Sequence, residues 1–487
     1  MANVAVVVLG DVGRSPRMQY HSKSLADLVG ASNPDSVCVS LVGYRGEPCI
    51  ADVERNPRIR QYLFSPYKSN YSKKAFLLVA PMKVAVLLWR LSYALFFQIP
   101  RPDAILVQNP PSIPSLILVW IAARVYGARM VVDWHNFGFT VLSYGRGGRR
   151  LFASASRIYE RFFASVADSQ FCVTRSMRDW MIKHWGVEPI VLYDKAPSFF
   201  HQTTVEEKHE LFTRLEKHFM KARLQFEGEA AVKASPAGTT LFTTAEGKLR
   251  DDRPALLVSA TSWTEDEDFG VLLDGLRKLD DRIMEEEEYP PVLIVVTGKG
   301  PLKGMYEERI HKLKLFKVCI VTMWLEPEDY PLLLGSADIG VCLHTSTSGL
   351  DLPMKVVDMF GCGLPVCAIE FDCLEELVQH GKNGMVFTLS DELADQLGSL
   401  LSGITAEGNA MLQQLREGVA GFERWQPNWA RNAAPVFSDL GTARIPDSQV
   451  TFRFRVLIGI LMLMFILLVA ICRRLMFMAV EVVVSPR

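Results

Sequence analysis

The chain has 487 residues, enough for two or three domains that each bury a core. Lys and Arg number 53 against 54 Asp and Glu, a formal net charge of −1, which leaves no overall positive excess to hold a polyphosphate and argues against a dedicated nucleic-acid binder. Hydrophobic residues make up 49%, high for a soluble protein, and the surplus is concentrated in a few segments.

Residues 1–9 are apolar but lack a basic leader and run directly into Gly10-Asp11-Val12-Gly13, so the N-terminus reads as a first strand, not a signal peptide. Further short β-branched runs at 37–42, 104–107, 129–132, 171–174 and 190–192 are continuously apolar, the pattern of buried parallel strands. Helical stretches between them make βαβ units, hence a doubly wound α/β domain over residues 1–199. The nine cysteines form no CxxC pair and mostly lie in apolar runs, which excludes a zinc ribbon and predicts buried thiols in a reducing compartment.

The loop after the first strand, residues 10–17, carries Gly13, Arg14, Ser15 and Arg17. Ser15 suits an N-cap and Pro16 a first helical turn, so backbone amides and two arginines would make an anion site there. It is not GxGxxG, and no dinucleotide site is supported. Residues 76–99 and 112–126 are apolar but interrupted by Lys83, Arg90 and Arg124. They read as core helices, and the first equally as a helix at a membrane interface. The strand at 129–132 delivers Asp133-Trp134-His135-Asn136 at its carboxyl end, where ligands of such sheets bind. A neutral His135 can accept a proton, with Asp133 beside it as orienter.

Residues 200–252 are rich in charge, Gly, Ser and Thr, which predicts an insertion or linker, partly disordered. A second alternating series follows over residues 253–440, with strands at 255–259, 292–297, 318–322, 339–343 and 365–369. Ser259 and the hydroxyls after it would face phosphate, and the acidic run 265–268 would cap the next helix. A metal site is the other reading of those carboxylates. The run Glu285 to Glu288 reads as solvated. Thr297-Gly298-Lys299-Gly300 resembles a phosphate loop without GxxxxGK[ST], so ATP hydrolysis is not implied.

Residues 346–366 are the most informative. A loop with Gly349 leads into a short helix with Pro353 in its first turn. Its N-terminus would hold a diphosphate, Lys355 would add a charge, and Asp358 would accept hydrogen bonds from ribose hydroxyls. Finally, residues 456–472 are uninterruptedly apolar, with Arg453 and Arg455 before and Arg473 and Arg474 after. This predicts a transmembrane helix near the lower length limit, its orientation left open by arginines on both sides.

These motifs bear a family likeness. The stretches GDVGRSPRMQYHS (10–22), QNPPSIPS (108–115), DWHNFGF (133–139), YDKAPSFF (193–200), SATSWTEDEDF (259–269), TGKGPL (297–302), the run from Glu328 to Ala368 and NGMVF (383–387) together resemble GT-B glycosyltransferases. Within them the chain is most similar to the chitobiosyldiphosphodolichol beta-mannosyltransferases of the endoplasmic reticulum. The resemblance implies two Rossmann-like domains facing each other across a cleft. It implies an inverting β-1,4-mannosyl transfer from GDP-mannose to dolichyl-diphospho-di-N-acetylglucosamine, on the cytosolic face of the endoplasmic reticulum membrane.

It further implies no required cofactor, with Mg or Mn at most assisting, and other early glycosyltransferases of the pathway as partners. Under it, Asp11 or His135, with Asp133, would be the base. Gly13, Arg14, Ser15 and Arg17 would hold the acceptor diphosphate, and Ser259, Lys299, Gly349, Asp351, Lys355 and Asp358 the donor. Asp351 and Asp358 stand one position closer than the glutamate pair of many retaining GT-B enzymes. Animal relatives carry an N-terminal anchor, whereas here the apolar segment is C-terminal. The alternatives are another lipid-linked-sugar transferase, or a catalytically silent membrane scaffold.

Overall fold

The computed structural model describes residues 2–29, 38–66, 76–143, 150–265, 267–284, 286, 289–346, 348–404, 408–440 and 445–459. Two sheets organise it. The first contains β1 (Val4–Asp11), β2 (Val39–Tyr44), β3 (Ile59–Phe64), β4 (Ala104–Asn109), β5 (Arg129–Trp134), β6 (Ser169–Cys172) and β7 (Ile190–Val191), in the order β3-β2-β1-β4-β5-β6-β7. The second contains β8 (Ala255–Ala260), β9 (Val292–Thr297), β10 (Val318–Met323), β11 (Ile339–Cys342), β12 (Val366–Ile369) and β13 (Gly384–Phe387), in the order β10-β9-β8-β11-β12-β13.

The chain divides into two compact units. The first comprises Met1–Asp133, Tyr159–Gln170 and Pro435–Arg487; the second comprises Trp134–Ile158 and Phe171–Ala434. In each sheet the first strand in sequence pairs in parallel with two others, β1 with β2 and β4, β8 with β9 and β11. Both therefore have the Rossmann-like doubly wound arrangement that the apolar runs predict. The strand order switches beside β1 and beside β8, so the loops leaving those strands fall where such sheets take ligands.

The second sheet shows why its strands read as continuous apolar runs. Leu256, Val258, Leu293 and Val295 enter one buried cluster, while Ala255, Leu257, Val292, Ile294 and Val296 enter the other. Successive side chains of a strand point to opposite faces, and both faces here are covered.

The stretch expected to be a partly disordered linker is instead structured. Thr204 caps a 23-residue helix, Val205–Glu227, in a capping box with Glu207. Leu211, Phe212, Leu215, Phe219 and Ala222 enter the core together with Leu241 and Phe242. Arg223 and Arg250 are held by Glu216 and Glu227, so charges that suggested a solvated segment are ion-paired against the helix. Its apolar stripe is spaced three and four residues apart and diluted by these charges, which hid it.

Of the predicted membrane span, residues 456–459 belong to a helical run over residues 447–459, and the remainder lies outside the described residues. Among the described residues no helix is long and apolar enough to cross a membrane. Of the Glu285 to Glu288 run only Glu286 is described, just past the helix Phe269–Ile283. The eight described cysteines are all free and buried.

Candidate active site

In the first unit, β1 ends at Asp11, whose carboxylate accepts from the amides of Gly13 (3.0 Å) and Glu47 (3.2 Å) and lies 3.6 Å from Nε of Arg14. The loop is compact because glycine allows it. A Cβ on Gly13 would stand 2.2 Å from the Glu47 carbonyl oxygen, and one on Gly46 would stand 2.0 Å from the Asp11 carboxylate. Arg14 is exposed and pairs with Glu47 at 3.1 Å. Ser15 donates its hydroxyl to the Asp11 carbonyl at 3.1 Å, and the helix Pro16–Val29 begins one residue later. Gly13, Arg14 and Ser15 thus cluster around Asp11 at the end of β1, as their spacing suggests.

Arg17 does not join them. Its Nε and Nη2 each donate to Asp133 at 2.8 Å, and the two side chains are 3% and 0% exposed. His21 Nε2 stands 3.2 Å from the same carboxylate and is fully buried. Arg17, expected among the acceptor-diphosphate ligands, is instead buried and engaged with Asp133 in this structure. A buried carboxylate needs such a partner, and a bidentate guanidinium supplies it.

Two residues beyond Asp133, in the second unit, the chain turns over an aromatic cluster of Trp134, Phe137, Phe139, Trp180 and Trp185, with ring centroids 4.7–6.3 Å apart. His135 and Asn136, between Trp134 and Phe137 of this cluster, are half-exposed. Asn136 donates to Asp351 at 3.0 Å, which ties the DWHN turn to the loop before the helix Met354–Gly361.

That loop is heavily cross-linked. Asp351 also accepts from the Ser346 hydroxyl and from Ser348 at 3.0 Å. Gly349 sits at φ +71°, a conformation that favours glycine, with its α-carbon facing Asp372. Thr174 donates to the Leu350 carbonyl at 2.6 Å while capping the helix Arg175–Trp185. Pro353 is the N-cap residue of Met354–Gly361, one position before its first turn.

Lys355 in that first turn is paired with Glu267, a buried carboxylate that also accepts from the Thr261 hydroxyl and from the Ser262 amide at 2.7 Å; His344 Nδ1 lies 4.0 Å away. Glu267 is hidden in the sequence inside a run of acids that reads as a helix cap. Its neighbour Asp268 performs the expected capping, accepting from Gly270 at 2.9 Å.

The loops after β8 and β9 interlock. A Cβ on Gly298 or Gly300 would stand 1.7 or 1.8 Å from the carbonyl oxygens of Thr261 and Ser262. Trp263 is buried at φ +49°, a strained conformation for a bulky residue, and donates its indole N–H to the Gly298 carbonyl at 3.2 Å. Lys299 is exposed with its ammonium 3.7 Å from the ring centroid of Trp324. Ser259, expected to touch the donor, is instead buried within β8, opposite Val296 of β9.

Asp358, on the same helix as Lys355, stands near Tyr330 and Asp194. Burial and the neighbouring Asp194 charge push its carboxyl well above the usual range, more than the Tyr330 hydroxyl lowers it. A further group that the sequence did not reveal is Glu376. It accepts from the amides of Arg175 and Ser176 (2.8 Å each), the Ser176 hydroxyl and the Tyr193 hydroxyl (2.6 Å). Burial raises its pKa, but these hydrogen bonds outweigh it and hold the group below the usual range. Its partners come from two distant segments, which no local pattern links.

Comparison with known proteins bears on the family and the fold. Residues 253–403 match the model of "Glycosyl transferases group 1", and residues 33–192 that of "Glycosyl transferase 4-like domain". A protein of Arabidopsis thaliana named UDP-glycosyltransferase TURAN is 44% identical, over 91% of this chain and 98% of that protein. The chitobiosyldiphosphodolichol beta-mannosyltransferase of Homo sapiens is 40% identical over 90% of this chain and 93% of its own length, and that of Dictyostelium discoideum is 36% identical over 88% and 92%. Among solved structures, Anabaena HepE in complex with UDP matches at TM-score 0.57 and 16% identity, over 90% of this chain and all of that one. The sucrose-phosphate synthase of Thermosynechococcus elongatus matches at TM-score 0.57 and 12% identity, over 90% and 99%. Those two likenesses speak to the fold alone, a GT-B-like pair of α/β domains. The extent and level of identity to the curated relatives decide the family: this chain belongs to the chitobiosyldiphosphodolichol beta-mannosyltransferases, within the group 1 glycosyltransferases.

Proposed function

We propose that the chain transfers a mannosyl residue from GDP-mannose to dolichyl-diphospho-di-N-acetylglucosamine, with inversion to a β linkage. The observation that carries this reading is the 40% identity to the human enzyme of that name over 90% of the chain. The second unit supplies the donor end. The first turn of Met354–Gly361, with Lys355, takes the diphosphate, where helix amides and a cation stabilise charge developing on the leaving group. The first unit supplies the acceptor end around Asp11, Gly13, Arg14 and Ser15. Inversion in one displacement requires a base for the acceptor hydroxyl, and we assign that role to Asp11 or His135, a reading supported by their positions at the ends of β1 and β5. Neither assignment calls for a bound metal, so a chelator should leave turnover unchanged. The apolar segment 456–472 attaches the chain to the endoplasmic reticulum membrane with the catalytic units in the cytosol.

The test is transfer to a phytanyl-linked chitobiose diphosphate, with GDP-mannose, UDP-N-acetylglucosamine and UDP-glucose offered in turn. Product from GDP-mannose alone supports the proposal. Product from a UDP-sugar alone overturns the donor assignment in favour of the chemistry in the Arabidopsis relative's name. Asp11→Ala and His135→Ala then separate the two bases. Loss of a catalytic base lowers turnover ~10²–10⁴-fold, and if neither change costs more than about tenfold in a folded protein, both assignments fall.

A further inference from the structure

The helix Phe76–Tyr93 and the π-helical turn Ala94–Gln98 that continues it carry apolar residues on two opposite faces. One is explained by the fold: Leu87, Leu91, Ala94 and Leu95 are buried, at the spacing of a core-facing stripe. The other is not. Trp89 (73% exposed), Tyr93 (49%) and Phe97 (67%) recur every fourth residue and point to solvent. Large aromatic side chains seldom line up on an open surface without a ligand or partner.

What covers this stripe follows from its neighbour. Residues 447–459 are helical and pack on the same region of the first unit. Phe454 packs tilted at 5.9 Å from Phe96 and edge-on at 6.2 Å from Phe97, and Phe97 in turn stacks on Tyr93 at 5.8 Å. Arg453 donates to the Arg124 carbonyl at 2.7 Å, and Arg101 holds Asp447 at 2.6 Å and the Ile445 carbonyl at 2.8 Å. Beyond the packed Phe454, this helix exposes Phe452, Val456 and Ile458 together with Arg453 and Arg455. The sequence then runs on through the uninterrupted apolar residues 456–472. The exposed aromatic stripe therefore begins at the foot of the most lipid-soluble segment of the chain. Trp and Tyr beside exposed arginines is the composition of a surface at headgroup depth.

We infer that the Trp89–Tyr93–Phe97 stripe is a second membrane-contacting surface, lying in the bilayer interface alongside the base of the C-terminal apolar segment. The occupant is a lipid bilayer, not a protein. Two attachments are more restrictive than one, because a single helix leaves the folded part free to swing about its tether, whereas a stripe laid on the surface fixes its attitude. This rests on the membrane attachment proposed above, but not on the donor or acceptor.

The experiment uses the full chain carrying Cys472→Ser. The eight described cysteines are buried, so a nitroxide reagent labels an introduced cysteine selectively. Labels go at Trp89→Cys, at Phe97→Cys and, as a control, at the exposed Lys248→Cys. Each protein is reconstituted into vesicles of phosphatidylcholine and phosphatidylserine, and collisions with dissolved oxygen and with a polar nickel complex are compared. The expected result is a severalfold shift toward oxygen at positions 89 and 97 relative to 248. Equal nickel accessibility at all three positions overturns the inference. So does label–label broadening at 89 or 97, which would mean a second copy covers the stripe, and so does failure of the chain to join the vesicles. Mannosyl transfer measured on the same samples fails or survives independently, so loss of the functional reading is distinguishable from loss of this one.

Discussion

Lys355 reaches back over 88 residues of sequence to the carboxylate of Glu267, which is itself fixed by the Thr261 hydroxyl and the Ser262 amide. The pair joins the loop after β8 to the first turn of the helix Met354–Gly361. Losing a charge-assisted hydrogen bond to a bound diphosphate costs about 1.5–3 kcal/mol, or about 10–150-fold in affinity. Lys355→Met should raise KM for the sugar nucleotide by that factor. Glu267→Gln, which keeps shape but releases the lysine, should raise it less. Steady-state kinetics at varied donor decide: a KM unchanged within about twofold in Lys355→Met removes the lysine from the donor site.

Arg17 gives a prediction opposite to the one its motif suggests. With both guanidinium nitrogens on Asp133 and both side chains buried, Arg17→Met strands a carboxylate. Breaking such a pair from one side costs about 3–5 kcal/mol. The variant should show a large drop in denaturation midpoint. A variant of normal stability that has lost only acceptor affinity would restore Arg17 as a ligand.

Asp358 predicts a pH dependence of stability. Its folded pKa lies well above that of an unfolded aspartate, through burial first and the Asp194 charge second. Between the two pKa values the folded state binds more protons, so this group lowers stability as pH rises above the unfolded value near 4. Asp358→Asn, which mimics the protonated form, should remove that loss. It should raise the melting temperature at pH 7 relative to wild type while changing it little at pH 4. Parallel pH profiles for the two proteins would show that the carboxyl titrates normally.

The sequence exposes what is local and hides what is distant. The strands of both sheets are legible because burial on two faces demands unbroken apolar runs, as β1 and β9 show. The turn at Gly13 to Ser15 and the loop at Gly349 are legible because their glycines stand where the backbone must pass close or turn left-handed. Illegible are the pairings that folding creates between remote segments. Arg17 and Asp133 stand 116 residues apart, Asn136 and Asp351 215 apart, and Ser176 and Glu376 200 apart. A charge beside a glycine-rich turn looks like a ligand until its partner is seen, and an acid in a run of acids before a helix looks like a cap. Ser259 was misplaced for a different reason: whether a strand's last polar residue faces the loop or the core depends on where pairing ends, and β8 pairs with β9 through Ala260.

Two glycines in the second unit should respond to alanine with opposite signs. At Gly298 the backbone has φ +145°, and an added Cβ would stand 1.7 Å from the Thr261 carbonyl oxygen, a backbone atom that cannot swing aside. Gly298→Ala must therefore separate the loops after β8 and β9, breaking the Trp263 indole bond to the Gly298 carbonyl and disturbing the neighbouring Ser262 amide on Glu267. Loss of stability by several kcal/mol, with weaker donor binding in whatever protein folds, is the expected outcome. Gly304 lies in the helix Lys303–Lys312, exposed, with nothing within 4 Å of the added carbon. There alanine reduces only the freedom of the unfolded chain, so Gly304→Ala should stabilise by about 0.5–1 kcal/mol without changing donor KM. Urea denaturation of the two variants beside wild type checks both signs. A Gly298→Ala protein as stable as wild type would mean that the two loops are not interlocked, and that the strained Trp263 has no part in shaping the donor site.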